Sequence, residues 1–387
     1  MAMVDRLKAQ NVVCSGPVED AMRNMARHVF VPDAALEDAY GSWPVVTHRD
    51  CEGVAVSSAS APGVVGGMLE QLGVRAGDRV LEIGAGTGYN AALLARLAGP
   101  SGAVTTVECD EAVTASARAA LARAGHGEVT VICGDGVLGW AANAPYDRII
   151  VTVGAWDVPP AWWDQLADGG RLLVPLRMRG LTRTVALERD GMVLRSRSVE
   201  MCGFIPMRGA GAVAEQNVWV GGKDGDLLLR IDDGRPADSD AIGRALDYPE
   251  AVTWTGVRFA MPEILDFWLA GLSGFCRVLA SGKAVEAGRV CAPLFPWGSM
   301  GVFDGGTVAY LTAQGDLPEL GVCAYGPDGQ GLADRVAERI RQWDSEGGPK
   351  MSVRIEVHPV DATSPPDNWL VIGKAHSRVV IRMVPGA

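Results

Sequence analysis

Asp78-Arg79-Val80-Leu81-Glu82-Ile83-Gly84-Ala85-Gly86-Thr87-Gly88-Tyr89-Asn90 is the stretch whose reading decides the fold. Residues 78–83 (DRVLEI) read as a buried strand, and residues 90–97 as a helical run. Three glycines at alternate positions join them. Glycine alone lets a backbone approach a ligand closely and take positive φ without strain. The same turn also serves plain strand-to-helix packing, so by itself it leaves both readings open.

Working outward, residues 103–108 (AVTTVE) form a second strand and an Ala- and Arg-rich helix runs on through Arg123. Residues 129–133 and 147–153 (DRIIVTV) are further strands. This βαβαβ order predicts a doubly wound parallel sheet. Residues 171–175 follow a Gly-Gly turn, and Asp190-Gly191 divides two apolar runs, which predicts an antiparallel hairpin at the sheet's end. Glu108 closes the second strand and Asp135 lies in Gly134-Asp135-Gly136 after the third. Each acid alone fits a surface turn or a helix cap. Two of them at successive strand ends after a glycine turn predict a nucleoside site, Glu108 on ribose hydroxyls and Asp135 at the adenine amino group.

Length and composition bound the rest. A chain of 387 residues predicts two domains. Its net charge of −11 argues against a nucleic-acid partner and against anionic membrane surfaces. The N-terminal residues lack a basic-then-apolar leader, and no apolar run reaches the roughly 20 residues that span a bilayer. A cytoplasmic protein with no membrane partner is the expectation. The eight cysteines are scattered, with no C-x-x-C pair and no nearby histidine at ligand spacing, which predicts reduced, mostly buried thiols and no metal.

The runs RVLEIGAGTGYNAALLARL, CGDGVLGWAANAPYDRIIVTVGA and PPAWWDQLADGGRLLVPL, with MARHVFVPDAALEDAY upstream, resemble the protein-L-isoaspartate O-methyltransferase family over residues 5 to 200. The resemblance implies a Rossmann-like class I methyltransferase fold in an α/β chain and S-adenosyl-L-methionine as cofactor. Carried over by position, Glu82, Gly84, Ala85, Gly86, Thr87, Glu108, Cys109, Asp135 and Gly136 bind it. Ser58-Ala59-Ser60-Ala61-Pro62 aligns with the family's substrate loop, which reads Thr-Ile-Ser-Gln-Pro. Ser60 thus matches the substrate-facing serine that orients the acceptor carboxylate, with Ser58 and His48 beside it on the substrate side.

The sequence also departs from that pattern. Ala61 replaces the usual Gln, Ser42 stands where the family tends to have Asp, and the stretch between Pro44 and Pro62 is several residues longer. The domain expectation is a methyltransferase unit over 1–200, a connector over 201–212, and a smaller α+β unit over 213–387 that recognises a peptide. Because the usual repair enzyme ends after its first domain, the whole resembles longer members associated with ribosomally synthesised peptides. That resemblance implies esterification of one Asp in a precursor peptide, with closure to an aspartimide and then possible hydrolysis to isoaspartate; the alternative is general isoaspartyl repair. Trp156, Trp162 and Trp163 fit either a peptide wall or packing beneath a helix, and the charges at 49–52 either peptide contact or a solvated loop. The remaining histidines show no catalytic spacing.

Overall fold

The computed structural model describes residues 2–222, 225–232, 234–258, 264–295, 297–362 and 370–386. In its first half β1 (Val45–Arg49) and β2 (Ala55–Ala59) pair as a separate antiparallel hairpin. There follow β3 (Arg79–Ile83), β4 (Ala103–Glu108), β5 (Thr130–Cys133), β6 (Tyr146–Val151), β7 (Leu166–Met178), β8 (Leu181–Asp190) and β9 (Val193–Met201). Strands β5-β4-β3-β6-β7 are parallel neighbours in that order. The chain leaves β3 toward β4 and later returns to β6 on the other side, which places a crevice at the carboxyl ends of β3 and β6.

Strands β7, β8 and β9 continue this sheet antiparallel, with Asp190 opposite Val193 and Gly191 at φ 61° in the turn. The predicted hairpin therefore stands at the Asp-Gly pair but not at the sheet's end, because later strands extend the sheet beyond β9. Side chains alternate between faces as period-two pleating requires. Val80, Ile150 and Leu173 pack with the helices Gly16–Asn24, Pro62–Leu72 and Tyr89–Ala98, while Leu81, Ile149, Leu172 and Val174 face the opposite core.

That opposite core continues without a break into the second half of the chain, through Leu265, Phe275, Leu311, Val322, Ile340 and Trp343. There β10 (Gln216–Val220), β11 (Leu227–Ile231), β12 (Ala251–Arg258), β13 (Phe275–Ala280), β14 (Ser299–Asp304), β15 (Thr307–Gln314) and β16 (Glu319–Tyr325) form an antiparallel sheet in the order β10-β11-β13-β14-β15-β16-β12. The helix Gly329–Ser345 lies on it and buries Leu332, Val336, Ile340 and Trp343 at i, i+4, i+8 and i+11. The sequence of residues 261–272 reads as an amphipathic helix; Leu265–Leu269 is helical, and residues 261–263 lie outside the described residues.

The last strands, β17 (Met351–Pro359), β18 (Leu370–Gly373) and β19 (Ser377–Pro385), return to the first sheet. There β17 pairs with β9, Glu356 opposite Arg195 and Val357 opposite Leu194. Strand pairing thus divides the chain differently from the expected cut at 213, because an exposed edge at β9 offers unpaired backbone groups that β17 satisfies. No helix among the described residues is long and apolar enough to cross a membrane.

Cysteine burial corrects the sequence reading. Cys276 and Cys323 are buried and Cys202 and Cys291 partly so, but Cys14, Cys51, Cys109 and Cys133 are exposed. They lie on loops and strand ends, where no core is at hand to take them.

Candidate active site

A cavity of about 390 Å³ opens at the carboxyl ends of β3, β4 and β6, within the roughly 300–1,000 Å³ usual for small-molecule sites. Gly84 and Gly86 take φ of 100° and 51°, the left-handed region that disfavours a side chain. At Gly84 a Cβ would sit 2.6 Å from Thr152 Oγ1, and at Gly86 it would stand 3.7 Å from the Ser58 carbonyl. The glycine turn therefore lies beside the Ser58 segment in the cavity lining.

Glu108, nearly buried, lines this cavity. Its Oε2 accepts from Gly86 N at 3.1 Å and its Oε1 from Asp110 N at 3.2 Å. Cys109 Sγ also donates to Oε1 at 3.5 Å; a carboxylate has about four acceptor sites, so these bonds fix its direction and leave acceptor capacity on Oε2. Glu82 also lines the wall but is fully buried, with Oε1 accepting from Asn90 Nδ2 at 2.8 Å and Oε2 from Thr106 Oγ1 at 2.6 Å. Burial raises its pKa to about 7, against the pull of the Thr106 and Asn90 hydrogen bonds.

Of the residues expected from sequence, Ser58, Ser60, Glu82, Gly84, Ala85, Gly86, Thr87, Glu108, Cys109 and Gly136 all line the cavity. Asp135 and His48 are not in its wall. The Asp135 oxygens accept from Val137 N at 2.9 Å and from Ala210 N at 2.8 Å, so this side chain pins the 203–212 stretch to the end of β5. His48 stands on β1 opposite Ser57, and β2 is the strand of that hairpin which meets the cavity. The charges at its tip are spent on the turn itself: Asp50 accepts from Glu52 N and Val54 N, and Arg49 donates to Gly53 O.

Two contributors escaped the sequence reading. Arg27, with no exposed surface, lies in the wall and donates to Ala39 O at 2.7 Å, Ala59 O at 3.3 Å and Ser60 O at 2.7 Å. The only signal was a cationic residue inside the apolar run MARHVFVP. The other is the stretch read as a connector. Its residues 203–208 form a wall, held by Gly154 N donating to Ile205 O and Met207 N donating to Gly154 O, with Arg208 3.7 Å from Glu108. Trp162 and Trp163 are packing residues, buried and donating to the carbonyls of Gly136 and Val158.

Residues 1–211 match the family model described as Protein-L-isoaspartate(D-aspartate) O-methyltransferase. Over 207 residues the chain is 42% identical to the protein-L-isoaspartate O-methyltransferase of Methanoregula boonei, an alignment covering 54% of this chain and 91% of that relative. With the Methanopyrus kandleri relative of the same name it shares 39% over 210 residues, covering 54% and 90%. A solved structure described as a protein-L-isoaspartate O-methyltransferase matches at a TM-score of 0.52 and 22% identity, over 98% of both chains. The fold of the second half therefore occurs in a protein of that description.

Proposed function

The chain belongs to the protein-L-isoaspartate(D-aspartate) O-methyltransferase family through residues 1–211, and from that premise we propose that its cavity joins a methyl donor to an isoaspartyl carboxylate of a peptide or protein. It is an S-adenosylmethionine-dependent carboxyl methyltransferase. The carrying observation is that the glycine turn, Glu108 and the Ser58–Ser60 segment line one cavity, with Gly86 beside the Ser58 carbonyl.

The residues present fit this cofactor: a glycine backbone at positive φ that admits close approach, and a fixed carboxylate with acceptor capacity to spare. In our reading Gly84, Ala85, Gly86 and Thr87 hold it along the turn, Glu108 takes its ribose hydroxyls, and Cys109 and Gly136 flank the base. Asp135 acts by anchoring the 203–212 wall. When bound, S-adenosylmethionine supplies an electrophilic methyl group on a sulfonium.

The protein's remaining task is to place a carboxylate in line with that methyl group and to exclude water. A carboxylate is already ionised near neutral pH, so no general base is required. A carboxylate held there would take the methyl group through one oxygen, with S-adenosylhomocysteine as the leaving product and no proton to be moved by the protein. Ser60 orients the acceptor by hydrogen bonding. Arg27 contributes a buried positive charge at the Ser60 end, away from Glu108 with its partner Arg208, and so favours an anion there.

A second reading, esterification of one Asp in a ribosomal precursor peptide with closure to an aspartimide, is favoured by the acceptor-side loop. That loop folds as the β1–β2 hairpin, and Trp43 beside it lines the cavity while 82% exposed. Mass spectrometry of paired Asp and isoAsp peptides, together with any short peptide encoded beside this gene, tests both. Methyl gain on isoAsp peptides alone is the expected result. Methyl gain followed by net loss of water on an Asp peptide alone establishes the second reading, and no methyl gain on any peptide overturns both.

A further inference from the structure

A second cluster of chemically active side chains lies in the β10–β16 sheet, in the half of the chain outside the family match. Glu250 immediately precedes β12, Cys323 is in β16, and Cys291 is in the segment between the helix Gly282–Glu286 and β14. One carboxylate oxygen and the two sulfurs all lie within 4.8 Å of one another. Cys323 has no exposed surface, Cys291 is half-buried and Glu250 is exposed, so the group is open to solvent on the carboxylate side.

The surroundings hold these donors in place. Tyr325 Oη donates to Glu250 Oε2 at 2.5 Å and accepts from Cys291 N at 3.0 Å. Tyr310 Oη donates to Cys291 O at 2.9 Å. Tyr325 is two residues from Cys323 on one strand, and Tyr310 is directly opposite it on the neighbouring strand, so all three share a face of the sheet. Both tyrosines are buried. A ligating carboxylate oriented by a second hydrogen-bonding residue is the arrangement that protein metal sites use to fix a ligand.

We propose that Glu250, Cys291 and Cys323 bind one thiophilic divalent cation of the zinc class, with the fourth position open to solvent. Two sulfurs and one carboxylate suit a borderline-soft, tetrahedral ion and exclude magnesium and calcium, which take oxygen donors. A disulfide would use the two sulfurs alone and leave the tyrosine-held carboxylate without a part. Both cysteines bind the ion as thiolates. Each gives its proton to solvent as a sulfur–metal bond forms.

The site is tested on the full chain, stripped with a chelator, by zinc titration against a chromophoric competitor and by cobalt(II) substitution. Expected are one zinc equivalent and a cobalt–thiolate charge-transfer band, both present in the control Cys14→Ser and both lost in Cys291→Ser. Glu250→Gln, an exposed change that keeps the fold, weakens zinc binding by about tenfold or more and retains a thiolate band. Absence of that band in the wild-type protein, or a zinc equivalent that survives unchanged in both Cys291→Ser and Glu250→Gln, overturns the proposal. Neither readout depends on methyl transfer.

Discussion

The Arg27 guanidinium donates to the carbonyl of Ser60 at 2.7 Å, across 33 positions of sequence and with no exposed surface of its own. It holds the end of β2 against the segment that leads to Ala39. Ser60 is therefore placed by a residue from the N-terminal helical region. Arg27→Met leaves three carbonyls without their donor, each worth about 1–3 kcal/mol if buried. Urea unfolding should show a loss of about 3 kcal/mol, and the peptide KM should rise about tenfold or more while cofactor affinity changes little. A variant with normal peptide KM refutes the positioning role.

Glu108→Ala removes the carboxylate that Gly86 N orients. Two charge-assisted hydrogen bonds to a ribose are worth about 1.5–3 kcal/mol each. Calorimetric titration with S-adenosylhomocysteine should show affinity reduced by about 100-fold; an unchanged value would remove Glu108 from the cofactor site.

Burial of Glu82 sets a pH dependence. Its folded pKa of about 7 lies above the 4.5 of the free side chain, so the folded state binds the extra proton between these values. Stability is therefore greatest below about 4.5, falls as pH rises toward 7 and stays level beyond, by on the order of 3 kcal/mol in total. Glu82→Gln should flatten this window in denaturant midpoints measured from pH 4.5 to 7.

Lys374 acts in the opposite window. It is buried in the turn between β18 and β19, where its Nζ donates to Trp156 O and to Arg177 O, beside Asp157, Asp232 and Arg177. Burial lowers its pKa from 10.5 to about 7, against the pull of Asp157 and Asp232. Between those values the unfolded chain binds the extra proton, so stability rises with pH from about 7 toward 10.5. Lys374→Met should abolish that rise. The same turn grips the loop after β6, since Asp157 accepts from His376 N at 2.7 Å and Ser377 Oγ at 2.5 Å. Asp157→Ala should therefore slow methyl transfer as well, because Thr152 and Val153 of that loop line the cavity. Single-turnover rates check this.

The legible part of the site is instructive in detail. Glu108 was found because a strand and a glycine turn announce where its carboxyl end must lie, and both signals fit within some thirty residues. Asp135 shared the same signal, yet its oxygens face Val137 N and Ala210 N. A partner 75 positions away decided its direction, and no local pattern carries that information.

By itself, the sequence determined what windows of about ten residues can encode: the βαβ order from Asp78, the turn at Gly84 to Gly88, and the hairpin at Asp190-Gly191. These follow from backbone sterics and alternating burial, which act between near neighbours. Only the tertiary structure decided that Arg27 holds Ser60, that residues 203–208 wall the cavity, that β17 joins β9, and that Cys291 meets Cys323 and Glu250. Each of those contacts joins segments far apart in the chain, and they are selected together by packing and by the need to satisfy buried polar groups.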